Sequence, residues 1–491
     1  MRLFSPALPA LLLALTSSLS TVGAATFVPP AVFKNANLVH VVSVEKNYVK
    51  ETINVLVENI DSSPQDEYYL PFATDKFAHV GGLEVKDRKD SHAGPFAVDA
   101  VEIDGDSDVQ YYRVHLPAPL KAGAQQTLGI TYYVLRAYRP LPATIAQDDK
   151  QYLVYKFSAY CPSAYDTDKQ KTEVKFPTSD IPDYTKLPAG SGSEGDKPQP
   201  QKQGAKLTYG PFGAQPAGAA LPVEVRFEFT KPVTHVTRLE RDVEVSHWGG
   251  NVAFEERYAL RNVGAELATL FNRVKWAQAQ YYRPATPALT ELRVPLRAGS
   301  ADAYYTDVIG NVSTSRFRPS ARSEALLEIK PRYPVFGGWQ FPFTIGWNGE
   351  ARQFLRKVTT GSSSGRSFVL NVPFLEGPRQ TEGVAYEQVR LQILLPEGAE
   401  NVKYYASIPP SVIKASGLTL HKTYLDTVGR TAVVIEAENL VDEFRDREVV
   451  VTYDYPLLAS LRKPLVVFGS TLSLFIAAWL IGNVELKFSK K

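Results

Sequence analysis

The stretch Pro222-Val-Glu-Val-Arg-Phe-Glu-Phe-Thr230 decides the fold. Val223, Val225, Phe227 and Phe229 alternate with Glu224, Arg226, Glu228 and Thr230. Only an extended strand sorts a period of two into one buried and one solvated face. The same pattern recurs outward along the chain. Val49, Ile53, Val55 and Val57 alternate with Lys50, Thr52, Asn54 and Glu58, and Leu128, Ile130, Tyr132 and Val134 repeat it. Val389, Leu391 and Ile393 follow, then Val433 to Ile435 and Val449 to Tyr453. No segment holds a comparable 3.6-residue period; a short helix is expected near 266–279. The chain is therefore read as mainly β, built from antiparallel sandwich-like sheets.

Composition agrees. Of 491 residues, 44% are hydrophobic and 11% aromatic, enough for large cores and too many for disorder. The 54 Lys and Arg nearly balance 52 Asp and Glu, so charge gives no argument for a nucleic-acid partner. Cys161 is the single cysteine, which excludes an intrachain disulfide and a cysteine-based zinc site.

The two ends set the expected compartment. Arg2, the apolar run Ala10-Leu-Leu-Leu-Ala-Leu15 and the small residues Gly23-Ala24-Ala25 describe a secretory signal peptide over 1–24. Residues 465–484 carry no charge, and twenty helical residues cover about the 30 Å of a bilayer's hydrocarbon core. Together they predict a single-pass type I protein with a tail at 485–491. The run Gly469-Ser-Thr-Leu-Ser473 puts small residues on neighbouring turns, so Gly469 and Ser473 are candidates for helix docking. Between the ends, two β-rich domains are expected at 25–231 and 232–463, divided at Lys231-Pro232. Residues 187–219 read as a long polar excursion and 359–365 as a loop.

A faint internal echo links the halves. Glu45-Lys46 and Glu240-Arg241 each follow apolar residues near the start of a half, and Asn59 and Asn262 each close a strand. Duplication and chance explain this equally well at the level of sequence.

Motifs for chemistry are scarce. The seven histidines (His40, His79, His92, His115, His235, His247, His421) show no compact ligand spacing. No nucleophile elbow, phosphate loop or dinucleotide fingerprint is present, and Gly-Gly pairs at 81–82, 249–250 and 337–338 read as turns. Charged runs at Asp66-Glu67 and Asp442-Glu443 read as solvated surface. Trp248, Trp339, Trp347 and Tyr281-Tyr282 are either core or a stacking surface for sugars or a partner. Asn311-Val312-Ser313 is the one sequon, which makes Asn311 the candidate glycosylation acceptor.

Several ordered stretches resemble the ribophorin I family. They are Glu244-Val-Ser-His-Trp-Gly-Gly-Asn251, Tyr304-Tyr-Thr-Asp-Val-Ile-Gly-Asn-Val-Ser-Thr-Ser315, Pro331-Arg-Tyr-Pro-Val-Phe-Gly-Gly-Trp339, Leu395-Pro-Glu-Gly-Ala399, Thr423-Tyr-Leu-Asp-Thr-Val-Gly-Arg430 and Asn439-Leu-Val441. The first half matches mainly in layout and over 27–59; the insertion near 190–205 and the short tail depart from the pattern. The resemblance implies a non-catalytic, single-span subunit of the endoplasmic-reticulum oligosaccharyltransferase complex, with its bulk in the lumen. It implies no cofactor here: the metal, the lipid-linked donor and the chemistry belong to a multispanning catalytic subunit. That subunit and small membrane subunits are the implied partners, with nascent polypeptides and the translocation machinery beyond them. A membrane-anchored hydrolase and a lectin-like ectodomain are the two other classes the residues leave open.

Overall fold

The computed structural model describes residues 27–90, 94–101, 107–187, 199–279, 281–282, 285–358, 366–423 and 426–483. The expected signal peptide, tail and 359–365 loop lie outside the described residues, as do His92 and residues 188–198.

All the alternating segments are strands. Pro222–Glu228 buries Val223, Val225 and Phe227 against Tyr152–Ser158 and Asp183–Tyr184. Removing each such side chain from water contributes roughly 1.5–3 kcal/mol. The strands assemble into two units that repeat one topology.

In the first unit a seven-stranded sheet runs, in spatial order, Gln201–Gln203, Lys206–Phe212, Gln170–Lys175, Phe33–Ser43, Val49–Asn59, Gln125–Val134, Val80–Asp87. The second unit places Ile413–His421, Arg430–Val441, Ala385–Leu394, Thr234–Ser246, Asn251–Asn262, Gln340–Glu350 and Ala301–Asp307 in the same order. It adds only Gly310–Asn311 at the end. The covering sheets repeat too. Arg139–Pro140, Tyr152–Ser158, Pro222–Glu228 and Asp183–Tyr184 correspond to Leu355–Val358, Ser367–Pro373, Glu448–Asp454 and Glu400–Ala406. Gln65–Ala73, Val109–Leu120 and Ala97–Ala100 correspond to Leu292–Leu296, Ala325–Ile329 and Arg316–Arg318.

Pairing directions repeat as well. Each large sheet is antiparallel except for one pair: Phe33–Ser43 with Gln170–Lys175, and Thr234–Ser246 with Ala385–Leu394. Parallel partners need a crossover, and periodicity along one strand carries no sign of partner direction. Each first strand bulges at the same place, between Asn35 and Asn37 and between Val236 and Arg238. Such shared detail is what a tandem duplication leaves.

The echo in the sequence is half right. Asn59 and Asn262 are equivalent: each is buried opposite the start of the first strand. Each side-chain oxygen accepts the N–H two residues on, from Asp61 or Gly264. Each amide donates to two carbonyls, of Ser63 and Leu120 or of Pro287 and Val335. The Glu45-Lys46 and Glu240-Arg241 steps are not equivalent, because Glu45 lies past Ser43 in a connection while Glu240 lies inside a strand.

Other expectations change. The polar excursion ends by residue 201, where Gln201–Gln203 and Lys206–Phe212 join the large sheet; Gly210-Pro211 masks a strand that buries Leu207 and Tyr209. The helix expected at 266–279 is confined to Arg273–Ala279, because Glu266–Leu267 pairs instead with Thr144–Ile145 of the first unit. Gly81 and Gly82 sit in a bulged strand and not in a turn. The apolar helix expected from 465 begins earlier: it runs Leu457–Gly482 and carries Arg462, Lys463 and Pro464 in its first turns.

The hydrophobic core changes between Val233, which belongs to the first unit, and Val236, which belongs to the second. Tyr48 and Tyr133 of the first unit pack in the core of the second. Asn47 donates across the boundary to Thr234 and Gly383, and Tyr48 donates to Asp442 at 2.6 Å. Glu443 accepts from Lys50 and Tyr133. Asp442-Glu443 is therefore a half-buried docking element and not a solvated run. Gly81 lies so close to the Asn439 carbonyl that a Cβ would sit 1.7 Å from its oxygen, and Asn439 itself caps the Ala78 and Val80 carbonyls.

Candidate functional site

The helix Leu457–Gly482 is not a free anchor, because its first turns are bonded to the second unit. Pro464 has no N–H, so the Ser460 carbonyl four residues earlier loses its helical donor. The Trp248 indole fills that role, donating to the Ser460 oxygen at 2.7 Å. Trp248 reaches it from the turn after Thr234–Ser246, and its ring remains 66% exposed. The preceding residue, Ala459, packs on Gly398, where a Cβ would come within 2.8 Å of the alanine methyl. Gly398 also has φ +85°, a conformation that other residues adopt at a cost. Lys463 then pairs with Asp426 at 2.7 Å.

Two carboxylates hold the loop that supplies Asp426. Asp426 accepts from the Thr423 N–H and hydroxyl. Burial works to raise its pKa, but the bonds from Lys463 and Thr423 outweigh burial and hold it at about 2. Buried Glu397 accepts from the Thr427 N–H and hydroxyl and from the Val428 N–H. Arg430 ties the loop back to Glu244 and to the Leu395 carbonyl. Glu244, Glu397, Arg430 and Lys463 line a cavity of ≈340 Å³ at the root of the helix, walled by Trp248, His247 and Tyr455. Burial lowers the His247 pKa, so that wall is a neutral ring at pH 7. Three of the sequence motifs quoted above, 244–251, 395–399 and 423–430, converge here. Their spacing along the chain gave no sign of this; the legible signal was Pro464 inside a helix, which predicts a free carbonyl at Ser460 needing a donor.

Farther along the helix, Gly469, Ser473 and Ala477 recur every four residues, so they share one face. Nothing lies within 4 Å of a Cβ built on Gly469. The hydroxyls of Ser470, Thr471 and Ser473 bond back to helix carbonyls, so this face offers close approach more than free donors. Asn311 is exposed on the short strand Gly310–Asn311, with Val312 buried beside it and Ser313 exposed. The structure thus leaves the sequon side chains on the surface.

Several buried titratable residues are occupied structurally. The third residue beyond each bulge is a buried base, His40 in the first unit and Arg241 in the second. His40 bonds Glu51, which also accepts from Lys76, Tyr132 and Tyr155. Burial opposes ionisation of Glu51, but Lys76 and His40 outweigh it and keep its pKa well below the carboxylate range. Arg241 bonds both Glu256 and Glu376 and lies over the Phe254 and Trp347 rings. Burial and the nearby Glu376 push Glu256 up against the pull of Arg241. Burial also raises the Cys161 thiol, which suits a packed side chain and not a thiolate nucleophile. Among the described residues, no group of three or more His, Cys, Asp or Glu side chains is placed to hold a metal ion. Of the aromatics, Trp347 is core, Trp339 packs on Phe336 and Tyr333, and Tyr281 and Tyr282 are exposed.

Known proteins match almost the whole described chain. A family model described as Ribophorin I matches residues 33–482, including the first unit, where the sequence motifs were sparse. A Caenorhabditis elegans protein described as dolichyl-diphosphooligosaccharide–protein glycosyltransferase subunit 1 is 32% identical over 458 residues, 93% of this chain and 73% of that relative. The Schizosaccharomyces pombe protein of the same description is 28% identical over 92% of this chain and 95% of that relative. An Arabidopsis thaliana subunit 1B is 27% identical over 94% and 96% respectively. A solved M1 zinc metallopeptidase from Deinococcus radiodurans aligns over 44% of this chain and 42% of its own, at 10% identity and a TM-score of 0.25, too slight a likeness to carry an argument.

Proposed function

This chain belongs to the ribophorin I family, and on that premise we propose that it is a non-catalytic, single-span subunit of the endoplasmic-reticulum oligosaccharyltransferase complex. The observation that carries the reading is the family match over 33–482, together with relatives whose own name is subunit 1 of that transferase. On this reading residues 25–231 and 232–463 are two luminal domains, Leu457–Gly482 roots and spans the membrane, and other subunits of the complex are the partners. A non-catalytic role is supported by the way buried acids, bases and the thiol are taken up in bonds within each core. Chemistry and donor recognition then fall to the multispanning subunit, and this chain contributes rigid luminal surface that stabilises the complex and guides acceptor polypeptides.

The helix would dock through Gly469, Ser473 and Ala477. Replacing Gly469 and Ser473 with leucine keeps the span apolar while blocking close approach. The expected outcome is normal insertion, reduced recovery of the complex and general underglycosylation. Asn311 would carry one glycan, so an N-glycan-removing enzyme should shift the wild-type band and leave Asn311→Gln unmoved. The deciding experiment is native purification from detergent. Co-isolation with a multispanning transferase supports the reading; a homogeneous chain that turns over a glycoside alone refutes it.

A further inference from the structure

We propose that the open edge formed by Ile413–His421 receives an extended segment of a membrane-anchored partner subunit, adding a strand to the large sheet of the second unit. This strand ends the sheet and pairs on one side only, with Arg430–Val441. In an antiparallel pair alternate residues turn their N–H and C=O away from the partner, so about half of the strand offers backbone groups to the open side. Among the described residues, no backbone bond fills that side. Leu418 and Leu420, two apart and so on one face, are 49% and 69% exposed. Gly417 beside them leaves open space where a side chain would stand.

Long, apolar, unpaired edges template association, and proteins ordinarily blunt them. The duplicated fold supplies its own control. The topologically equivalent edge of the first unit is Gln201–Gln203, three residues long, wholly polar and carrying Lys202. The same architecture therefore tolerates a short, wholly polar edge at this place, and the nine-residue edge of the second unit, with exposed Leu418 and Leu420 on it, is not required by the fold.

Backbone complementarity selects the occupant. A row of free N–H and C=O groups is matched by another extended chain, with alternate apolar side chains to meet Leu418 and Leu420. Lys414 is already paired with Glu438 at 3.3 Å, but exposed Lys422 follows the strand directly and 413–423 hold no acid, so the incoming strand carries an acidic residue at that end. The position of the edge argues that the partner is rooted in the membrane. His421 leads within two residues to Thr423, whose N–H is held by Asp426, the same carboxylate that pairs with Lys463 of the helix. The end of the strand thus lies level with the helix entry. The inference rests on the subunit reading only for the identity of the partner.

The test compares hydrogen exchange in the full-length chain purified alone and in the native complex. Amides of 413–421 should be protected at least tenfold more in the complex at about every second position, the pattern of one added strand. Equal exchange in an intact complex overturns this inference and leaves the subunit reading standing; failure of any complex to form overturns the subunit reading itself. A photo-crosslinker in place of Leu420 should give one adduct, with a complex member, in the presence or absence of translation. An adduct that appears only during translation would assign the edge to acceptor polypeptides and overturn the proposal. Leu418→Lys with Leu420→Lys changes exposed side chains, so thermal unfolding should be unchanged while recovery of the complex falls.

Discussion

Trp248→Phe should loosen the root of the helix Leu457–Gly482, and only while Pro464 is present. Phenylalanine keeps the ring and removes the indole N–H, so the Ser460 carbonyl is left with no donor from the protein. The bond is short and links two neutral groups at a partly exposed site, so its net worth is about 1 kcal/mol. Since 1.4 kcal/mol is a factor of ten, amides of 457–463 should exchange roughly fivefold faster in the full-length chain in detergent. Pro464→Ala restores an N–H that reaches the same carbonyl along the helix, making the indole redundant. In that background Trp248→Phe should change exchange by less than about twofold, a coupling of about 1 kcal/mol between residues far apart in sequence. Equal acceleration in both backgrounds would refute the reasoning, because the indole would then act through packing alone.

Arg241→Leu should destabilise the second unit by about 3–5 kcal/mol in denaturant unfolding, because Glu256 and Glu376 would share a dry site with no counter-charge. Replacing Glu256 and Glu376 with glutamine in the same chain should recover much of that loss. Gly81→Ala must move the Asn439 backbone by more than 1 Å, since a Cβ would stand 1.7 Å from its oxygen; limited proteolysis should then cleave between the units sooner, with each core still folded. Acid should weaken the same boundary. Burial works to raise the pKa of Glu387, but bonds from His235 and Arg136 hold it at about 2 against an ordinary 4.5. A depressed carboxylate contributes stability that is present above pH 4.5 and lost as pH falls toward 2, so cross-unit protection should drop across that window in wild type and drop less in Glu387→Gln, where Glu443, also lowered against burial by Lys50 and Tyr133, still titrates.

Strands could be read from single segments, because alternation is local: Val223 to Phe229 must face one way whatever they pack against. The charge-free run after Pro464 is likewise legible locally, as a helix long and apolar enough to cross a membrane. Three kinds of fact were not local. Partner direction in a sheet, and with it the repeat of one topology in both units, depends on strands far apart in the chain and leaves no period to find. Asp442-Glu443 reads as solvated because acids usually are, yet Tyr48, Lys50 and Tyr133 arrive from the other unit to bond them. The candidate site is assembled from a turn at Trp248, a loop at Glu397 and Asp426, and a helix whose proline frees one carbonyl; each is unremarkable alone. Their meaning lies in hydrogen bonds that only a folded chain can close, since a donor near residue 248 has no reason in sequence to meet an acceptor at 460.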